Sequence, residues 1–305
     1  MLDQHEREVQ RLLRKLDAQE NDDPMSLIRK KRRVPDDFFP YQDGKRGMCI
    51  LCRKFQNLTV DHVPPQNTGN SCWMEATSYM ANLQFDPSYI IPRRFKNGIK
   101  FRSICSDCNN RLGAVEDKEI GRVFAYLNNV IQLGLPRSNL SMKVRPNLLY
   151  RGLMAHLAAA NDHGNSDLFD DDTHRILSKE IRCNQTDWNL YYWPYSSEEI
   201  FILRGAALAS FIGEVSVAIV YVLKMAPLAF LFCKEDFFDL PNLRTYLRND
   251  DEASETIPFS LSHPDLETRW PAVPSDHSGR AVLTTANSFG LIARPVHFIK
   301  KPQKF

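Results

Sequence analysis

The sequence predicts an α+β fold, and three observations support this prediction. Residues 48–135 contain short β-like segments, a loop punctuated by prolines and then a helical pattern. Two more helical segments follow, from Leu148 to Ala160 and roughly from Thr173 to Glu180. From Trp188 onward, the segments WNLYYWPY, EEIFILRG, EVSVAIVYVL and LAFLFC are rich in aromatic and β-branched residues, which favours an antiparallel sheet.

These patterns divide the chain into three parts. Residues 1–47 predict an N-terminal helix followed by a basic linker, and residues 48–135 form a domain that contains the motifs described below. Residues 136–305 predict an additional C-terminal α/β region rich in antiparallel strands, without a recognisable motif. We expect this last region to select the target, sense a signal or bind a partner subunit. The helix prediction at residues 2–20 rests on the spacing of Val9, Leu12, Leu13 and Leu16.

The composition is that of a globular protein without an overall basic bias. Hydrophobic residues make up 43% of the 305 residues, and the net charge is only +2, so any binding to a polyanion must rest on local clusters of cations. One such cluster is the RKKRR run at residues 29–33. It fits a nuclear localisation signal in a eukaryote, an arm that contacts phosphates, or a solvated run of charges.

We expect a cytoplasmic protein that does not bind membranes. The charged N-terminus lacks the apolar core of a secretory signal. The longest apolar region, residues 206–233, is interrupted by Gly213, Glu214, Lys224 and Pro227, and it predicts two buried strands in place of a membrane span. The seven cysteines therefore favour metal ligation or free thiols over disulfides.

Four cysteines form two C-x-x-C pairs. Cys49 and Cys52 make the first pair, and Cys105 and Cys108 make the second. This spacing allows both sulfurs of a pair to bind one ion, and four thiolates suit tetrahedral zinc. A closed site of this kind is usually structural, so by itself it predicts only a small zinc-stabilised domain.

The segment TVDHVPPQ, residues 59–66, lies between the two pairs and adds side chains suited to acid–base and metal chemistry. Asp61 and His62 end a predicted strand from Leu58 to His62, and neighbouring residues of a strand point to opposite faces. Histidine is a suitable general base near neutral pH, and carboxylate and amide oxygens suit magnesium. Asn109 supplies an amide directly after the last cysteine, where a helix is predicted from Cys105 to roughly Asn129.

The residues CILC, DHVPP and CSDCNNRLG resemble HNH endonucleases of the zinc-bound ββα-metal type, over about Met48 to Leu127. The resemblance implies a strand, loop, strand and helix stabilised by a four-cysteine zinc site. It also implies that Asp61 ligates the catalytic Mg²⁺ or Mn²⁺, that His62 is the general base, and that Asn109 is the final residue of the motif and a second metal ligand.

The middle asparagine of the motif, which helps to orient the base in the family, has no unambiguous match. We favour Asn97 over Asn67, Asn70 and Asn82, which lie in the long loop from Gln66 to about Ile99. We expect this loop to contain a helix near residues 72–83. Glu116 and Asp117 are expected on the surface of the following helix.

The expected activity is hydrolysis of DNA, with phosphates contacted by Arg93, Arg94, Lys96, Lys54 and Arg111. Two alternatives stay open: an RNA-cutting nuclease, and a zinc-binding module that binds nucleic acid or protein without cutting. The resemblance extends to bacterial restriction and anti-phage defence nucleases, which implies partner defence proteins or self-association. A homing or mobile-element endonuclease also stays open.

The remaining cysteines and histidines predict structural roles. We expect Cys72, Cys183 and Cys233 to be small buried hydrophobic residues. His156 lies on an apolar helix and is expected to be a satisfied core histidine. His163 and His174 flank an acidic loop without supporting residues.

Overall fold

The computed structural model describes residues 32–33, 45–84, 90–160, 171–210, 216–236, 238–261, 280–283 and 289–296. These residues form a mixed helix and sheet fold, which confirms the predicted fold class at that level. The expected N-terminal helix at residues 2–20, most of the basic linker and the polar segment 161–167 lie outside the described residues.

Within these ranges the strands are, in chain order, β1 (Arg32–Arg33), β2 (Arg46–Met48), β3 (Phe55–His62), β4 (Met74–Ser78), β5 (Ile90–Ile91), β6 (Arg93–Phe95), β7 (Lys100–Cys105), β8 (Leu140–Val144), β9 (Asn189–Pro194), β10 (Ile200–Ser210), β11 (Ser216–Met225), β12 (Leu228–Cys233), β13 (Glu255–Phe259), β14 (Arg280–Leu283) and β15 (Phe289–Pro295). The helices are α1 (Tyr79–Gln84), α2 (Ser106–Ala114), α3 (Glu116–Gln132), α4 (Pro146–Ala159) and α5 (Asp171–Leu177).

A small antiparallel sheet of β2, β3 and β7 contains the motif residues. The strand expected to begin at Leu58 begins at Phe55, and it ends at His62 as predicted. β7 leads directly into α2, where the Cys105 side chain caps the helix by accepting a hydrogen bond from the Cys108 amide. The cysteine pair thus joins the end of a strand to the first turn of a helix.

The prediction of a single helix from Cys105 to about Asn129 is wrong, because the structure has two helices, α2 and α3, in this segment. Val115 leaves the helical region with φ −126° and ψ −71°, and it separates α2 from α3. Helical spacing of apolar residues continues across the break, so the sequence pattern does not reveal it. The surface position expected for Glu116 and Asp117 is also wrong: the Glu116 side chain is fully buried, and the Asp117 side chain is 19% exposed.

A larger antiparallel sheet has the order β6, β4, β15, β10, β11, β12, β9, with β14 also pairing with β10. Of the two buried strands expected within residues 206–233, β12 is buried throughout, whereas β11 is buried from Val220 to Met225 and exposes Val217 and Ile219. Strands β4 and β6 come from the long loop after the DHVPP motif. The prediction of a helix near residues 72–83 is therefore wrong for most of that range. Met74, Ala76 and Ser78 alternate with less buried residues and form a strand, and only α1 follows.

Helix α4 is the centre of the core. All of its residues are buried, and it packs against α3, β7 and β11. Most of its side chains are apolar, as expected of a helix in an interior, and α4 lies between the small sheet and the large sheet. Its side chains include the buried guanidinium of Arg151, which lies 2.8 Å from Asp251 and 3.7 Å from Glu116. These acids offset the cost of burying a guanidinium group.

The expected burial of the remaining cysteines is confirmed for two of three. Cys183 and Cys233 are buried, whereas Cys72 is exposed in the bend before β4. Among the described residues, no helix is long and apolar enough to cross a membrane.

Candidate metal centre and catalytic site

The structure brings the two predicted cysteine pairs together. The ligand atoms of Cys49, Cys52, Cys105 and Cys108 all lie within 4.8 Å of one another. Cys52 is half-buried and the other three are buried. The first pair lies in the turn between β2 and β3, and the second lies at the junction of β7 and α2. The four sulfurs are positioned to bind a metal ion, and this donor set suits structural zinc.

Hydrogen bonds around the cluster stabilise the thiolate of Cys49, whereas burial raises the pKa of Cys52. The amide of Cys105 donates to Cys49 Sγ at 3.3 Å, and Gln56 Nε2 donates to Cys52 Sγ at 3.4 Å. A hydrogen bond between the side chains of Cys49 and Cys108 lowers the pKa of the Cys49 thiol to about 4 and raises the pKa of Cys108. Hydrogen bonds to the charged form of a thiol stabilise the state that ligates metal.

Asp61 and His62 end β3 in different environments. Asp61 lies opposite Phe101 of β7 and is 6% exposed, whereas His62 lies opposite Lys100 and is half-buried. An irregularity in the pairing just before Asp61 sets this register. The carboxyl group therefore faces the interior near α4, while the imidazole remains accessible to solvent.

His62 is held by the backbone of Asn97. Its Nε2 atom lies 2.9 Å from the carbonyl oxygen of Asn97. Burial lowers the pKa of His62, and the charges of Lys100 and His156 lower it further, so that together they outweigh the Asn97 carbonyl and the Asp61 charge. Asn97 has a φ of +59° and precedes Gly98, which has a φ of +81°. Of the four asparagines considered for the middle of the motif, it is Asn97 that contacts His62 among the described residues.

Asn70 ties the Asn97 turn to the end of β3. Its Nδ2 donates to the carbonyl oxygen of Pro64 at 2.7 Å and to that of Ile99 at 3.0 Å. Its Oδ1 accepts from the Ile99 amide at 2.7 Å, and the residue is 1% exposed. A buried amide with three bonds to backbone is a structural tie, so Asn70 positions the turn that holds His62.

Asn109 lies in the first turn of α2 and faces β3. Its Nδ2 donates to Thr59 Oγ1 at 3.1 Å and to the Val60 carbonyl at 3.2 Å. Because both bonds use the amide nitrogen, the side-chain oxygen is left to bind other groups.

His156 joins the site from α4, and sequence reasoning did not assign it there. Its Nδ1 lies 3.3 Å from Asp61 Oδ2, and its Nε2 lies 2.7 Å from Asp117 Oδ1. It is fully buried, as expected of a core histidine. Desolvation would lower its pKa, but the charges of Asp117 and Asp61 raise that pKa to about 10. The ring thus connects the motif aspartate to an acid on α3.

No known protein family, curated protein or solved structure matches this chain. The functional interpretation therefore rests on the residues and on their geometry.

The predicted phosphate-contacting cations lie in different environments. Lys54 and Lys96 are exposed. Arg93 is half-buried with its guanidinium over the Phe95 ring at 5.4 Å, and Arg94 forms a 2.9 Å ion pair with Glu75. The Nη2 of Arg111 donates to the Leu177 carbonyl at 2.7 Å, which commits this side chain to packing against α5.

Proposed function

We propose that this protein is a metal-dependent endonuclease of the HNH type that hydrolyses phosphodiester bonds in DNA. The observation that carries the proposal is the contact between His62 and the Asn97 carbonyl, beside the buried carboxyl group of Asp61. A zinc module that only binds a partner has no need of a histidine held in one orientation next to an acid. The resemblance of DHVPP and CSDCNNRLG to the HNH motif supports the same conclusion.

His62 would act as the general base. A carbonyl oxygen only accepts hydrogen bonds, so the Nε2 atom of His62 carries the hydrogen. In the neutral ring this leaves Nδ1 to accept a proton from the attacking water. The Asn97 carbonyl then keeps the ring oriented and accepts a hydrogen bond from the imidazolium that forms.

Asp61 and Asn109 fit a magnesium ion through the chemistry of their donors. Asp61 offers a carboxylate. Asn109 offers its amide oxygen, because its hydrogen bonds to Thr59 and Val60 use only the amide nitrogen. A magnesium or manganese ion held by these oxygens would stabilise negative charge on the scissile phosphate and on the leaving oxygen.

The zinc held by the four cysteines would be structural. Cys49 and Cys52 precede β3, while Cys105 and Cys108 belong to the start of α2. Linking these pairs fixes α2 against β3, which sets the position of Asn109 relative to Asp61.

Cations at the small sheet would hold the DNA backbone, with Lys96 and Lys54 exposed and Lys100 half-buried. Lys100 lies opposite His62 across the sheet, and Lys96 directly precedes Asn97. Lys54 lies at the other end of β3. Charges placed along this sheet would position phosphates without reading sequence.

A cleavage assay with paired substrates tests the proposal. Supercoiled plasmid and a structured RNA are incubated with the zinc-loaded protein in Mg²⁺, Mn²⁺, Ca²⁺ or EDTA. We expect nicked or linear plasmid with Mg²⁺ or Mn²⁺ and intact RNA. Cleavage of the RNA alone would overturn DNA as the substrate, and intact substrates in every condition would overturn the nuclease assignment.

A further inference from the structure

We propose that His156 is a positioning residue that holds the carboxyl group of Asp61 for metal binding, with Asp117 anchoring the histidine. The C-terminal part of the chain would then complete the catalytic site, because α4 lies outside residues 48–135. This role rests on the proposed function, since it gives Asp61 the part of a metal ligand.

The contacts of His156 differ from those of an ordinary core histidine. Its two ring nitrogens face two carboxyl groups, Asp61 at 3.3 Å and Asp117 at 2.7 Å. The 3.3 Å contact is an ion pair without hydrogen-bond geometry, and among the described residues neither His156 Nδ1 nor Asp61 Oδ2 has a hydrogen-bond partner. Both atoms are buried, so removing either one would leave the other as an uncompensated buried polar group, which costs free energy of folding.

The packing of α3 against α4 brings these groups together. A Cβ atom added at Gly152 would lie 2.9 Å from Ile120 Cδ1 and 3.0 Å from Glu116 Cβ, so the glycine allows a close approach of the two helices. His156 follows Gly152 by one helical turn, and Asp117 follows Glu116 directly. The same close contact therefore places the imidazole between Asp117 and Asp61.

Fixing one oxygen of a carboxylate prepares the other for a cation. Asp61 Oδ2 is buried in contact with His156, and the Asp61 side chain as a whole is 7% exposed. Rotation of the carboxyl group is therefore restricted, and Oδ1 is the oxygen left for metal. Groups that orient a metal ligand in this way typically change metal affinity or activity by about 10- to 100-fold.

Two substitutions of His156 separate its two contacts. His156→Asn keeps an amide near the position of Nδ1 and can still reach Asp61, whereas His156→Gln keeps an amide near the position of Nε2 and can reach only Asp117. Leu157→Ala, on the same buried helix, is the matched control for loss of packing. Asp61→Ala reports loss of the ligand itself. Thermal unfolding and zinc content establish that each variant is folded.

The readout is Mn²⁺ affinity of the zinc-loaded full chain, measured by electron paramagnetic resonance, alongside plasmid cleavage. We expect His156→Gln to weaken Mn²⁺ binding by about 10- to 100-fold, with His156→Asn retaining most of the affinity and Leu157→Ala matching wild type. Equal affinities of His156→Gln and Leu157→Ala would overturn the positioning role while leaving Asp61 as a ligand. Unchanged Mn²⁺ binding by Asp61→Ala would overturn the proposed metal site, and the role of His156 with it.

Discussion

The Nε2 atom of His62 lies 2.9 Å from the backbone carbonyl oxygen of Asn97, and Asn97 adopts a left-handed backbone conformation with a φ of +59°. The contact uses the main chain of Asn97 and leaves its side-chain amide uninvolved. The residue type matters here because asparagine tolerates this conformation better than most residues do. The geometry thus separates the role of the backbone from that of the side chain.

The first prediction concerns this separation. Asn97→Gly should retain plasmid cleavage, since glycine adopts a positive φ freely and keeps the carbonyl in place. Asn97→Val should reduce cleavage, because a β-branched residue resists the conformation and the turn must shift. Asn139→Val is the control, since Asn139 is exposed and has a φ of +57°. We expect it to lose about 1–2 kcal/mol of stability and to cleave normally. Equal cleavage by Asn97→Gly and Asn97→Val would argue against the backbone contact.

The second prediction concerns Gly98, whose backbone lies against Asn70. A Cβ atom there would lie 2.1 Å from the Asn70 carbonyl oxygen, and the φ of +81° already disfavours a side chain. Gly98→Ala should therefore cost about 2–4 kcal/mol of stability in urea unfolding. Gly134→Ala should cost about 1 kcal/mol, because Gly134 has a φ of +65° but no neighbour within 4 Å of the added atom. Similar losses for the two variants would show that the contact with Asn70 is not tight.

The third prediction concerns the zinc site. Metal analysis of the purified protein should find about one zinc per chain, and Cys105→Ser should lose the metal together with cooperative folding of the small sheet. Cys72→Ser is the matched control, since Cys72 is exposed and lies outside the cluster. A folded Cys105→Ser variant with wild-type zinc content would contradict the assignment.

The fourth prediction is a pH dependence of stability due to Lys224. Burial lowers the pKa of Lys224 to about 7, against the opposing charge of Glu199. Between that value and the ordinary lysine value near 10.4, the unfolded chain binds a proton that the folded chain does not. The contribution of Lys224 to stability therefore rises with pH in this window, by up to about 1.4 kcal/mol per pH unit.

Lys224→Met removes this contribution and tests its sign. The variant should be more stable than wild type at pH 7 in urea unfolding, and its advantage should shrink by pH 9. The amine lies over the rings of Phe201 at 4.9 Å and Tyr195 at 5.3 Å, which favours the charged form and reduces the effect. An advantage that grows with pH would contradict the lowered pKa.

The sequence predicted those features that depend on local spacing and residue type. The cysteine pairs, the end of β3 at His62 and the buried strands of the large sheet all follow from patterns within a few residues. Their physical basis is the fixed geometry of a strand or of a C-x-x-C turn.

The features that were missed depend on contacts between distant segments. His156 looks like a core residue because its neighbours on α4 are apolar, and only the packing of α4 reveals that it faces Asp61. The break at Val115 is hidden because apolar spacing continues through it. Asn70 was considered as a catalytic asparagine, but its amide bonds backbone groups that come together only when the loop folds.

The most direct test of the catalytic account is plasmid cleavage by His62→Ala, compared with wild type at equal zinc content and equal thermal stability. Removing a general base should lower the rate of Mg²⁺-dependent nicking by about 10²- to 10⁴-fold, while zinc binding and folding remain unchanged. Cleavage at the wild-type rate by the folded variant would contradict the central claim that His62 activates the attacking water.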